Sequence, residues 1–415
     1  EDLLTVSNLS VSFGSKTGEI KAVTDMHLRV KKGQIVALVG ESGSGKTVTA
    51  LSITRLLPYP LAWHPKGSIQ INGREIMNFS ETSMRKLRGN DVSMIFQEPL
   101  NSLNPLHSVE KQIKEVIQHH QNVSDRDAQK KVIEMLDLVG LPEAVSRLHA
   151  LPHEFSGGQQ QRIMIAVALA NQPQLLIADE PTTALDVTVQ TQVLKLLKNL
   201  TKRLNMGLLL ITHDLGIVRK LADYVYVMKN GCLKEYNDTQ ALFDSPRNEY
   251  TSQLLKSEPN AKPQTLSGTA RNILSANSIK VWFPVKKGVI RRTVGYIKAV
   301  NGVSVKLREA HTLGVVGESG SGKSTLGRAL LRLENSEGSI RFMGSETKTF
   351  GWKEMRSLRR NMQIVFQDPF GSMSPRMSVF QIVEEGLLVH EQGISYQDRR
   401  QLVAEVLEEV ELDAS

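Results

Sequence analysis

One cysteine, Cys232, stands in a chain of 415 residues, so no disulfide can close within it, and such thiol usage belongs to a reducing compartment. Long apolar runs are missing too. The most continuous, such as residues 207–211, fall far short of the ~20 residues that cross a bilayer as a helix. There is no opening Met: the chain starts on Glu1, so its first residues are expected to be trimmed. Strand-like alternation at Leu4, Val6, Leu9 and Val11 sets in at once, so no signal peptide is expected. Blocks of one charge are also absent. The 51 Lys and Arg and 43 Asp and Glu, a net +8, are scattered. That reads as a mixed solvated surface rather than a face for nucleic acid or anionic lipid. What remains is 40% hydrophobic and 23% charged residues, a composition that builds a core and excludes a disordered or fibrous chain. At roughly 100–200 residues per domain, two to four domains fit.

An internal repeat narrows that range. Residues 40–47 return at 317–324, an offset of 277; residues 94–99 return at 364–369, an offset of 270; residues 136–141 return at 407–412, an offset of 271. The offset falls by seven because the first copy has extra residues around 58–66. A period this long lies outside solenoid repeats and predicts two copies of one domain. Residues 1–256 form the first, 257–275 a small, polar, turn-prone linker, and 276–415 the N-terminal part of the second. Apolar runs at 35–39, 175–178 and 208–212 alternate with helical patterns, which predicts buried parallel strands in an α/β fold. Residues 225–233 read as a hairpin turning on Asn230-Gly231, with Cys232 a small strand residue on it.

Each repeated Gly-rich segment is expected to follow an apolar strand and to open a helical pattern, 47–57 in the first copy, stopped by Pro58. That is the setting of a phosphate-binding P-loop. In Gly40, Glu41, Ser42, Gly43, Ser44, Gly45, Lys46, Thr47 and Val48 the glycines let backbone N–H groups turn inward, and the helix N-terminus adds its positive dipole end. Lys46 is expected to reach the β- and γ-phosphates of a nucleotide, and Thr47 to offer a hydroxyl to Mg²⁺. Gly317, Glu318, Ser319, Gly320, Ser321, Gly322, Lys323, Ser324 and Thr325 repeat the arrangement. Val48 replaces the hydroxyl that Thr325 offers, a small difference because the backbone N–H remains.

Further on, residues 175–178 end in Asp179 and Glu180, placed to hold Mg²⁺ and to orient an attacking water respectively. Ser156, Gly157, Gly158 and Gln159 open a helix running to about 170, another N-terminus where an anion can dock. Among ten histidines His213 stands out because it ends a strand at the ligand-binding edge of such sheets. His119 and His120 read as a wet helix surface rather than a metal site.

Taken in order, these motifs resemble the nucleotide-binding domain of ATP-binding cassette (ABC) proteins over essentially the whole chain. The fold so implied is a P-loop NTPase of ABC type with a helical subdomain, in two tandem copies, the second truncated. The resemblance makes 40–47 Walker A, Gln97 the Q-loop, 156–159 the signature, Asp179 and Glu180 Walker B, Asp186 the D-loop and His213 the switch histidine. It implies that two domains sandwich ATP head to tail, that Gln97 touches Mg²⁺ and the membrane partner, that Glu180 is the general base, and that His213 meets the γ-phosphate. Ser324 and Gln367 take the metal-side places in the second copy, and Phe13 and Phe283 resemble the aromatic that stacks on adenine.

Residues 96–105 and 152–159 are similar to the oligopeptide/dipeptide/nickel importer branch, and residues 366–375 follow with Met373 and Ser374 in place of Leu103 and Asn104. Fused members resemble glutathione and microcin C/peptide importer ATPases. What this implies is a peripheral ATPase at the cytoplasmic face of the bacterial inner membrane, powering uptake of peptides or peptide-like solutes. Its partners would be two integral-membrane permease subunits and an extracytoplasmic solute-binding protein. Many members carry a cysteine-rich tail after the first domain; no cysteine follows residue 248, so no iron–sulfur cluster is expected. The alternative is a tandem soluble ABC ATPase acting on ribosome or nucleic acid. Against it stand the short polar linker and the 110 residues from Lys46 to Ser156, too few for an inserted coiled coil.

A 271-residue offset puts a second signature serine at about 427, a second carboxylate at about 451 and a second histidine at about 484, and two whole copies need about 526 residues or more. The expectation is a shortened chain whose last helical stretch, 402–412, precedes the missing signature, and which binds nucleotide without completing a coupled hydrolysis cycle through its own halves.

Overall fold

A computed structural model describes the chain apart from residues 1, 16–17, 98–101, 184, 257–269, 288–291, 368, 392 and 414–415. Most of the expected linker, positions 98–101 of the 96–105 motif and 368 of its counterpart 366–375, and position 184 therefore lie outside the described residues. The chain divides into two compact units, Glu1–Lys262 and Pro263–Ser415.

The first unit is built on ten strands: β1 (Asp2–Ser15), β2 (Gly18–Lys31), β3 (Ile35–Val39), β4 (Ala62–Ile71), β5 (Arg74–Glu75), β6 (Val92–Ile95), β7 (Leu175–Asp179), β8 (Gly207–Thr212), β9 (Tyr224–Lys229) and β10 (Cys232–Asp238). Their order is β5-β4-β1-β2-β10-β9-β3-β8-β7-β6. β3, β7 and β8 are parallel and buried along their whole length, which is why they read as apolar runs rich in Val, Ile and Leu rather than as alternating patterns. β9 and β10 form the expected hairpin. Asn230 and Gly231 both take positive φ, 50° and 75°, the two left-handed residues that a tight hairpin turn needs. Cys232 makes the single pairing of β10 with β2, opposite Thr24.

Three helices, Val109–His120, Asp125–Leu138 and Gly157–Leu169, bury Ile113, Ile117, Val132, Leu136, Ile163 and Leu169 in one cluster, the helical subdomain. Ser108, Ser124 and Ser156 cap them, each hydroxyl accepting an amide of the first turn. The helix after the first Gly-rich loop runs over Lys46–Ile53, shorter than the expected 47–57, because Arg55 turns left-handed (φ 50°) before Pro58 is reached.

The second unit holds β11 (Asn272–Lys287), β12 (Arg292–Arg308), β13 (Glu337–Phe342) and β14 (Ser345–Glu346), in the order β12-β11-β13-β14. Helix Lys323–Leu330 packs Leu326 and Ala329 against Ile279, Val281 and Ile340. β11 starts at Asn272, inside the segment read as linker to 275: Leu274 and Ala276 enter the core, and that burial outweighs the polar look of the stretch. The last helix is Tyr396–Glu409, capped by Ser395, and stops short of 412. The strand expected before the second Gly-rich loop is not formed, and Val315 and Val316 are 48% and 92% exposed. In the first unit β3 draws its hydrogen bonds from β8 and β9; the described residues of the second unit contain no counterpart to either.

One buried carboxylate anchors the far end of the first unit. Glu235 on β10 accepts the amides of Arg247 (2.8 Å) and Asn248 (3.0 Å), fixing the start of helix Glu249–Lys256. Burial alone would raise its pKa, but those amides and the Thr251 hydroxyl outweigh it and hold the group below its ordinary 4.5. A depressed folded-state pKa contributes stability that is complete above pH 4.5 and is lost as pH falls through the folded value. Glu235→Gln is expected to cost about 1–3 kcal/mol at neutral pH. The deficit should shrink in acid, which denaturant unfolding at neutral and acidic pH measures.

Candidate nucleotide site

Register across the parallel strands assembles the site. Val39 lies opposite Thr212, Asp179 opposite Ile211, and Ile95 opposite Ala178. One or two residues beyond these paired ends the chain reaches Gly40, His213, Glu180 and Gln97, all at one edge of the sheet. Carboxyl ends of parallel strands are where such folds bind ligands.

The Gly-rich loop leaves β3 with φ of 153° at Gly40, 76° at Gly43 and 95° at Gly45. Gly40 is required for space as well as conformation: a Cβ there would meet the Met228 carbonyl at 2.2 Å. Lys46 is only 6% exposed, and its ammonium donates to the carbonyls of Gly40 (2.8 Å) and Glu41 (2.7 Å), curling the loop around itself. Burial pushes the Lys46 pKa down, against the opposing pull of Glu180, Asp179 and Glu41. Val48 packs into the apolar cluster beneath the loop.

Glu180 sits at the centre of a small network. Its Oε2 accepts from Gln97 Nε2 (3.0 Å) and the Thr183 hydroxyl (2.9 Å), while Oε1 lies 2.9 Å from His213 Nδ1. Its backbone is left-handed (φ 44°) and its amide donates to the Ile211 carbonyl, which aims the side chain off the sheet edge. Burial acts to raise the Glu180 pKa, but the hydrogen bonds from His213 and Thr183, with the charges of His213 and Lys46, leave it below the ordinary value.

Asp179 behaves oppositely. Burial raises its pKa, only partly countered by the Thr47 hydroxyl and Lys46. Its Oδ1 is buried with no hydrogen-bond partner. An orphaned carboxylate oxygen beside a hydroxyl is the donor chemistry of a hard divalent cation.

The remaining expected residues lie elsewhere. Ser156 and Gln159 close a reciprocal capping box, and Gln159 also reaches Glu143, so residues 156–159 form a helix N-terminus of their own. Asp186 caps helix Val187–Leu204 through the Val189 amide (2.9 Å), and the same valine leaves no room for a Cβ at Gly158. Phe13 is half-buried on β1, opposite Ile20 and Ala62; Phe283 is 39% exposed on β11. In the second unit Gly317, Gly320 and Gly322 repeat the positive φ values and Lys323 donates to Gly317 (2.7 Å) and Glu318 (2.6 Å), while Ser324 and Gln367 are exposed.

Three participants had no singular mark in the sequence. Thr183 bonds Glu180, Met228 closes over Gly40, and buried Tyr250 sets its hydroxyl beside the backbone and carboxylate of Glu41. Of these only Thr183 lies close in sequence to a residue the motifs single out, three positions after Glu180.

A strand-loop-helix phosphate cradle, with a carboxylate network at the adjacent strand ends, defines a P-loop ATPase. Residues 23–183 and 300–415 match the ABC transporter family model, and the chain belongs to that family. It is 51% identical over 413 residues to the peptidoglycan transport ATP-binding protein YejF of Agrobacterium fabrum, a match that spans 100% of this chain and 76% of that protein. To the glutathione import ATP-binding protein GsiA of Escherichia coli K12 it is 41% identical over 421 residues, 94% of this chain and 68% of the other. Among solved structures, a dimeric ATP-binding cassette MJ0796 bound to ADP and Pi superposes with TM-score 0.51 at 26% identity, over 57% of this chain and 98% of that one.

Removing His213 takes away the main hydrogen bond opposing burial at Glu180, so in His213→Ala the Glu180 pKa rises. The acid limb of the ATPase profile should move to higher pH, with the rate falling about a hundredfold. Phosphate release measured between about pH 5 and 8 checks both.

Proposed function

We propose that this chain is the ATP-hydrolysing subunit of an importer that moves peptides or peptide-like solutes through a separate membrane permease. The observation that carries the ATPase half is the Glu180 network beside the Lys46 loop. The solute class rests on the names of its relatives, a peptidoglycan transporter and a glutathione importer. No helix among the described residues is long and apolar enough to cross a membrane. Two permease subunits and an extracytoplasmic binding protein complete the assembly, with this chain docked at the cytoplasmic face of the inner membrane. The reading takes residues 1–256 as a full ABC domain and 276–415 as the beginning of a second.

In this reading the 40–48 and 317–325 loops hold the phosphates of ATP, and Lys46 and Lys323 turn from loop carbonyls toward phosphate oxygens. Thr47 and Asp179 are suited to hold Mg²⁺, with Gln97 alongside, and Ser324 and Gln367 stand in those places in the second copy; the metal supplies charge neutralisation at the phosphates. Glu180, ionised because its hydrogen bonds outweigh burial, orients water for in-line attack and accepts its proton. His213 holds that carboxylate and meets the γ-phosphate. Ser156, Gly157, Gly158 and Gln159 present their helix N-terminus to a nucleotide on another ABC unit, next to the Asp186 loop, a pairing in keeping with the dimeric cassette MJ0796.

Glu180→Gln keeps the hydrogen-bonding shape but removes the base. Turnover should fall by about a hundredfold or more, while ATP stays bound in a filter-retention assay. Retained turnover in this variant would remove Glu180 from the catalytic role.

A further inference from the structure

The two copies differ where the hairpin that carries Phe13 or Phe283 meets its neighbours. In the first unit the β1–β2 hairpin abuts the P-loop: a Cβ on Gly45 would lie 2.9 Å from the Ala22 carbonyl. The same arrangement recurs in the second, where Gly322 faces the carbonyl of Ala299. Phe13 and Phe283 lie on these hairpins, opposite Ile20 and Ile297.

On its other side Phe13 has a third strand. The extra residues of the first copy extend β4 back to Ala62, so that Ser12 pairs with Trp63 and Phe13 with Ala62, and the Gly14 amide donates to the Leu61 carbonyl at 2.8 Å. The Trp63 indole lies over Gly14, its Cζ3 3.1 Å from where a Cβ would stand. In the second unit β13 begins at Glu337 and its pairing with β11 ends at Lys280, three residues before Phe283. Pro284 follows Phe283 there, where Gly14 follows Phe13, and proline has no N–H to give. Sequence and register thus agree: Phe13 lies between two neighbouring strands, while among the described residues Phe283 lies on a two-stranded ribbon.

We propose that Trp63 and the 61–63 strand extension are positioning elements for the nucleotide base at the first site, holding Phe13 against adenine, and that the two sites therefore grip the base unequally. This rests on the reading of Phe13 as the base-stacking residue. A flat aromatic fixed between two strands loses less freedom on stacking than one on a ribbon, so the brace is expressed as affinity for the base and not for the phosphates.

The test uses the full chain with one loop disabled at a time. In Lys323→Ala, which leaves the first site, Trp63→Ala should weaken ATP binding about five- to tenfold. Binding of inorganic tripolyphosphate, which has no base, should be unchanged. Trp63→Phe should restore ATP affinity, and Gly14→Pro, which imports the residue of the second copy, should reproduce the loss. In Lys46→Ala, which leaves the second site, Trp63→Ala should have no effect. Equal loss for ATP and tripolyphosphate would mean general damage and overturn the proposal. So would unchanged ATP affinity in Trp63→Ala while Phe13→Ala weakens it, an outcome that spares the stacking role of Phe13. If Phe13→Ala itself leaves ATP binding intact, the underlying reading fails and the proposal with it.

Discussion

The register of four parallel strands is the constraint on which the site depends. With Val39 opposite Thr212, Asp179 opposite Ile211 and Ile95 opposite Ala178, residues up to 173 positions apart in sequence reach one edge together. A slip of one residue in any pair would turn the flanking side chains to the other face. It would also break the contacts of Glu180 with Gln97 and His213, whose donor and acceptor atoms meet near 3 Å. The register is held by burial: β3, β7 and β8 are covered on both faces, so any slip exposes apolar surface as well as misaligning hydrogen bonds.

That burial also sets the electrostatics. Asp179 and Glu180 are neighbours in the chain with opposite responses to the same surroundings. Asp179 ends the strand with one oxygen unpartnered, so burial wins and its pKa rises. Glu180 turns through a left-handed backbone into hydrogen bonds from His213 and Thr183, which with the charges of His213 and Lys46 win over burial. Environment, not residue type, separates a carboxylate waiting for a counter-charge from one kept ionised. Lys46 completes the balance, its pKa lowered by burial yet held near two carboxylates.

The second unit shows the same principle by contrast. Its loop has the same positive-φ glycines and the same folded-back lysine, so the local conformation is encoded locally. The preceding apolar stretch nevertheless stays out of strand conformation, with Val316 largely exposed, because the described residues offer it no parallel neighbours. A β-strand is a property of a pairing, and propensity alone does not make one.

Much of this was legible in the residues. The repeat, the Gly-rich loops before a helix, the apolar runs of β3, β7 and β8, the Asn-Gly hairpin and the helix opened by Ser156 follow from short-range chemistry that a linear pattern records. So does the family, through motifs in a fixed order. What pattern could not supply were partners distant in sequence: Met228 over Gly40, Tyr250 beside Glu41 and Trp63 on Gly14. The sequence by itself determined the local conformations and the kinds of groups available, because φ preferences, caps and apolar runs act within a few residues. Only the tertiary structure decided which of those groups meet, because strand register and close packing are settled between segments that the linear order keeps apart.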